Sequence, residues 1–414
     1  MPAINPFKPG IDFSFRGVVA VPARALELKK VFIGALSLLA ALALYNAFTY
    51  LAVLVDGLSI SSTFERHAFF PFDSINFISF WAKVVHILGI VAAAGTIMTG
   101  SLAIGIINIE ELRGHRLYGA REALRFAFSR ASNMFFALLT LAVFTLIISA
   151  LLSVLGLLAR IPFIGESIFA VLFVLPGFVT AILITLVIVV FFLSFLTLPA
   201  AAAADRIGET FTAILESFST VIRQPFRWAG YTLYTIASGK LCVWILALFS
   251  LLTVKFLGAV TALTGGETVG ETIAGGARLL PLKSWLVSFT FDLWPKLDSL
   301  LGFNPGVDVT RLGKGGEETF AAYLMAVSLL LIFAYIWGYG VSIIATGQAY
   351  IYVILRKFRD DYDITAEDPL FMEEEWINPP LDETIKEFSA KKPDVSSEPV
   401  GETEQDDGLH DRET

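Results

Sequence analysis

Long apolar runs without a single charge recur along this chain, separated by shorter polar segments that carry arginine and lysine. The first, Val31 to Val55, holds 25 uncharged residues. A helix crosses the roughly 30 Å hydrocarbon layer of a bilayer in about 20 residues. Lipid admits only helices and closed barrels, because every backbone polar group must be paired inside the protein. These runs are continuous rather than alternating with period two, which excludes barrel strands. The pattern predicts an all-α polytopic membrane helix bundle with six spanning helices, at about 31–55, 84–107, 134–157, 178–198, 229–254 and 320–347. The first run is too long for the apolar core of a cleaved signal and reads as a retained span.

Two further stretches are too short or too interrupted to cross alone. Ile161 to Gly177 contains Pro162, Gly165, Pro176 and Gly177 and reads as a half-helix dipping in from the outer surface. Leu279 to Phe303 mixes Trp285, Phe289, Phe291 and Trp294 with Lys283, Asp292, Lys296 and Asp298, the pattern of an interfacial amphipathic helix. The two middle cytoplasmic loops align at a constant offset of 90 residues: His115 to Phe136 runs parallel to Asp205 to Phe226. Each follows a span and is amphipathic at helical spacing, as in Ile207, Phe211, Ile214, Phe218 and Val221. Duplication and independent elbows obeying the same physics both account for the match. Either way, two basic amphipathic helices are expected against the inner leaflet.

Orientation follows from the positive charges. Lys8, Arg16, Arg24, Lys29 and Lys30 precede the first span, and Arg113, Arg116, Arg121, Arg125 and Arg130 follow the second. Arg206, Arg223 and Arg227 follow the fourth, and Arg356, Lys357 and Arg359 the sixth. The short external loops offer Arg66 and Arg160, and the long 255–319 loop counts little under this rule. Both termini are therefore expected in the cytoplasm of a bacterial inner membrane: 1–30 as a cytoplasmic segment, 31–358 as the membrane domain, and 359–414 as an acidic tail.

Composition supports this picture and adds the tail. Hydrophobic residues make up 56% and charged residues 16%, against about a quarter charged in ordinary soluble domains. From 360 onward nineteen Asp/Glu face four Lys/Arg, a net −15 that leaves +7 on the rest of the chain. Such a tail is expected to be mostly disordered. Its acidity disfavours nucleic acid as a partner. Phe371 and Trp376, flanked by Glu373, Glu374 and Glu375, are its apolar anchors and could dock a basic protein partner.

The catalytic inventory is thin. One cysteine, Cys242, and four widely spaced histidines give no zinc-like or disulfide pattern, so neither metal nor cofactor is expected. Gly306 to Lys314 has the wrong spacing for a phosphate loop, and Gly315 stands where a magnesium-binding hydroxyl belongs. Ser342, in Gly340-Val-Ser-Ile, superficially matches an intramembrane serine protease, with His86 as a distant base. The small residues Ala334, Gly338, Ser342 and Thr346, and likewise Ala92, Thr96 and Gly100, recur every four positions and read better as helix-packing faces. Charged or titratable groups inside the bilayer are the default functional pointers, which singles out Lys83, His86 and Lys240. Lys240 falls near the midplane if the fifth span starts at 229, or at the surface if the crossing begins at Leu241.

Several local stretches resemble a group of uncharacterised bacterial multi-pass membrane proteins. They are Gly100 to Ile106, Glu122 to Arg130, Leu198-Pro199, Leu215 to Ser219, Arg223 to Phe226, and Ile351 to Arg356 with Asp360-Asp361. The likeness covers about residues 30–365, departs at the 255–319 loop, and extends loosely to the membrane domains accompanying some glycerophosphodiesterases. It implies a polytopic membrane fold and no established activity. The leading functional expectation is a non-enzymatic scaffold, assembly or regulatory factor binding membrane lipids or protein. A transporter or lipid-handling permease with a polar midplane site is the alternative, and an enzyme ranks third.

Overall fold

The computed structural model describes residues 13–67, 75–115, 117–158, 160–161, 164–205, 210–280, 320–361 and 363–366. Among these the secondary structure is helical, with no strand. Two one-turn helices, α1 (Phe15–Val19) and α2 (Val21–Ala25), lead into α3 (Leu28–Val55). They are followed by α4 (Ile60–His67), α5 (Phe80–Arg113), α6 (Ala120–Leu158), α7 (Gly165–Leu172) and α8 (Phe178–Ala204). The remainder are α9 (Thr210–Arg223), α10 (Pro225–Gly265), α11 (Glu267–Arg278) and α12 (Phe320–Asp360). Four of them, α3, α5, α10 and α12, are long and apolar enough to cross a bilayer. Helix α6 runs 39 residues and α8 runs 27.

The centre of the bundle is an antiparallel pair, α3 and α5, with α12 laid across it. At one end of the pair the Asp56 carboxylate accepts from the backbone N–H groups of Ile78 and Ser79, closing the α3–α5 connection. At the other end Lys30 meets Glu111. Close approach is set by glycine. A Cβ on Gly338 of α12 would stand 2.7 Å from the Ala35 Cα, and one on Gly100 would stand 2.5 Å from the Ser37 hydroxyl. Contacts this short make small residues obligatory where helices associate without a hydrophobic driving force. Helix α10 runs antiparallel to α12, with Gly239 against Ile343 and Gly340 against Val243.

Several boundaries differ from the sequence-based expectation, each for a local reason. Helix α5 continues past the apolar run to Arg113 and stops only where Gly114 takes φ 108°, a left-handed value that favours glycine. The expected half-helix at 161–177 is instead α7 followed by a π-helical turn, Phe173–Gly177, that runs straight on into α8. Pro176 lacks an N–H, and one wide turn absorbs the missing bond without breaking the helix. The two aligned elbows also part company. The first is continuous with the rest of α6, so it is no separate surface helix. In the second, Pro225 forces Gln224 to φ −137°, ψ 55° and separates α9 from α10, whereas the aligned position is Phe135.

The expected 255–319 loop begins as helix. Helix α10 continues through Lys255 to Gly265, and the chain turns at Gly266, at φ 62°. Helix α11 then folds back along α12, placing Gly276 against Met325 and Ala326. The expected interfacial helix at 279–303 and the tail anchors Phe371 and Trp376 lie outside the described residues.

Candidate functional site

Polar chemistry concentrates at one end of the bundle, where α1 and α2, the start of α3 and the ends of α5, α8 and α12 meet. Lys30 is fully buried, with its ammonium 2.7 Å from Glu111 and 3.3 Å from Glu27, and it donates to the Arg24 carbonyl at 3.3 Å. Lys29 reaches the other Glu111 oxygen at 2.5 Å. One residue along α5 and facing elsewhere, Glu110 pairs with Arg113 at 2.8 Å, both side chains fully buried. Arg113 also donates to the Ile364 carbonyl, tying the segment beyond α12 to α5. Arg24 lies 4.9 Å over the Tyr350 ring and donates to its hydroxyl.

The small-residue face of α12 belongs to the same end. Ser342 donates to the Ala25 carbonyl at 2.8 Å, Tyr339 to the Pro22 carbonyl at 2.9 Å, and Thr346 accepts from Asn108 at 3.1 Å. Helix α9 is fastened by Glu216, which takes Arg356 at 3.0 Å and the Tyr352 hydroxyl at 2.8 Å. Arg130 donates to the Ala202 carbonyl and to that of Asp205, so a cation closes the carbonyl end of α8. Burial pulls the Arg130 guanidinium below its usual range, and the nearby Asp205 carboxylate opposes that shift. Among the described residues no three of His, Cys, Asp and Glu are grouped to hold a metal.

The sequence-predicted site residues fall in separate places. His86 packs between the rings of Tyr45 and Phe77, with Nδ1 3.3 Å from the Thr49 hydroxyl. Ser342 touches Ala25, ahead of α3, while His86 touches Thr49 near its far end. At 1.5 Å per residue the pair is separated by about 30 Å, which removes any serine–histidine arrangement. Lys83 is exposed in the first turn of α5. Lys240 is exposed too, and its neighbour Gly239 packs on Ile343, next to Ser342. Lys240 therefore stands level with the first turn of α3 and not halfway along it.

Lys255 lies about 22 Å further along α10, with 5% of its surface exposed. The sequence-based fifth span ends at 254, before this charge, and so places Lys255 in the external loop. The uncharged residues on either side of it, 241–254 and 256–266, were the available signal.

A cleft of about 870 Å³ opens between α3, α5 and α6. Its wall includes Ala92 and Thr96, so the expected packing face of α5 divides: Gly100 packs on Ser37, while the other two are half-buried along the cleft. Ser37, Thr96 and Thr99 line it too, but their hydroxyls donate to the carbonyls of Gly34, Ala92 and Gly95 on their own helices. The cleft thus presents hydrocarbon and aromatic rings, among them Phe128, Phe135 and Phe195. Comparison with known proteins yields no match to any family model, curated protein or solved structure.

Proposed function

We propose that this chain is a non-enzymatic integral membrane protein, a scaffold, assembly or regulatory factor that works by binding lipid or protein. The supporting observation is the contrast between its two polar and apolar features. The charged end is spent on ion pairs within α5 and between α5 and α3, and the cleft offers a mainly apolar wall on which the hydroxyls of Ser37, Thr96 and Thr99 bond to their own helices. A water-filled substrate path would present unsatisfied polar groups instead.

In this reading α6 and the α7–α8 helix cross the bilayer together with the four long apolar helices, giving six spans. The basic end faces the cytoplasm of a bacterial inner membrane, where Lys and Arg accumulate. The family resemblance supplies no activity to test. Purification in native lipid, followed by mass spectrometry of what travels with the chain, is the experiment. A stoichiometric lipid or protein companion supports the proposal, whereas hydrolysis of a lipid or peptide by the pure protein would refute it.

One observation favours the alternative of a transporter or lipid-handling permease: Lys255 is buried near the middle of the crossing on a long helix. Directional solute or lipid movement in proteoliposomes, lost on Lys255→Met, would select it.

A further inference from the structure

We infer that the cleft between α3, α5 and α6 seats an acyl chain of an anionic phospholipid, whose phosphate is held by Arg121 and Arg125. This rests on the lipid-binding reading above and names the class of lipid. Three observations converge on it.

The first is depth. Along α5 the cleft extends from Ile90 to Gly100, and along α6 from Leu124 to Leu139. At 1.5 Å per residue these are about 15 and 22 Å, between half and three quarters of a roughly 30 Å hydrocarbon core. The second is wall chemistry. With the hydroxyls of Ser37, Thr96 and Thr99 turned onto their own backbones, Ser132 is, among the described residues, the one lining hydroxyl with no bond to its own helix, and the rest of the wall gives a methylene chain continuous contact.

The third is where charge is available. On α6 the residues Leu124, Phe128, Phe135 and Leu139 face the cleft. Helical geometry, 100° per residue, puts Arg121 and Arg125 on that same face, at the end nearest the charged end of the bundle. Both are exposed, and neither has an ion-pair partner among the described residues. Lys29, Lys30, Arg113 and Arg356 at that end are already committed to carboxylates. Two guanidinium forks at headgroup depth, above an apolar slot, match a phosphodiester with a chain beneath it. A zwitterionic headgroup would bring its own cation to the arginines, so a net anionic lipid is the better fit.

The test is native mass spectrometry of the full chain in micelles carrying equal amounts of phosphatidylglycerol and phosphatidylcholine with matched acyl chains. Wild type is expected to retain phosphatidylglycerol preferentially. Arg121→Gln with Arg125→Gln should weaken that retention by about fivefold per guanidinium, and that of phosphatidylcholine by less, so that the preference is lost. Gly95→Phe should weaken retention of both lipids. A Cβ there meets only the Phe135 ring, at 3.9 Å, so the new ring fills the slot without prising helices apart.

Equal retention of the two lipids by wild type, or an arginine double variant indistinguishable from wild type, overturns the assignment. If lipid is retained without headgroup preference and Gly95→Phe expels it, the anionic assignment fails while the broader lipid-binding reading stands. Absence of any bound lipid, with a dimer in its place, would give the cleft to a second copy and overturn the assignment as well.

Discussion

The crossing of α12 over α3 at Gly338 is the contact on which the bundle's geometry most depends, and a single methyl group tests it. In Gly338→Ala the new Cβ would lie 2.7 Å from the Ala35 Cα and 2.8 Å from its Cβ. Carbon atoms in contact prefer about 3.5–4.0 Å, so the helices must part by about 1 Å, and a gap of that size forfeits up to about half of each neighbouring contact. Overpacking of this kind costs about 1–3 kcal/mol.

The same displacement stretches the Tyr339–Pro22 hydrogen bond at the next residue and the Ser342–Ala25 bond one turn along, each worth about 1 kcal/mol. We expect Gly338→Ala to lose about 3 kcal/mol and Gly338→Leu to fail to assemble. Reversible unfolding in mixed micelles, titrated with a denaturing detergent, measures the loss. Gly230→Ala is the control: a Cβ there meets nothing within 4 Å, and its stability should stay within about 0.5 kcal/mol of wild type. Equal stability of Gly338→Ala and Gly230→Ala would refute the close-contact argument.

Three further outcomes follow from the same contacts. Arg113→Ala leaves the Glu110 carboxylate buried and should cost about 3–5 kcal/mol, with Glu110→Gln in the same chain recovering part of it; an exposed-pair value below about 1 kcal/mol would contradict the buried placement. Glu216→Ala should free α9, raising amide hydrogen exchange across 210–223 by roughly tenfold, as expected for loss of a charged hydrogen bond worth about 1.5 kcal/mol; unchanged exchange would show that α9 is held some other way. His86→Phe keeps the ring stack with Tyr45 and Phe77 and should change stability by less than about 1.5 kcal/mol, whereas loss of folding would give the imidazole a role beyond packing.

What could be read along the chain was whatever lipid dictates locally. An uncharged run such as 31–55 has to be helical in a bilayer, and it is helical here. The errors arise where the chain departs from that local rule. Glu111 lies just past an apolar run and carries no local sign of its role, because its partner is set by tertiary folding: Lys30 is 81 residues away in sequence. Lys255 passed for a loop residue because one charge was allowed to end a helix. Pro176 passed for a break because proline was given no π-helical turn to occupy.

The cleft is assembled from α3, α5 and α6 with Phe195 of α8, and has no signature in any one of them. The arginines beside it were visible, but counted only as markers of orientation. Gly114 and Pro225, by contrast, were legible boundary signals that hydropathy had overridden.

Everything above depends on the uncharged helix lengths lying in lipid and on the charged end of the bundle meeting the cytosol. Thiol labelling at two positions on α10 tests this placement most directly. With the lone Cys242 replaced by serine, Lys240→Cys and Lys255→Cys are exposed to a membrane-impermeant maleimide in intact cells and in inverted vesicles. Position 240 should react only in inverted vesicles, and position 255 in neither preparation. Reaction at 240 from outside intact cells, or reaction at 255 as fast as at 240, would contradict it.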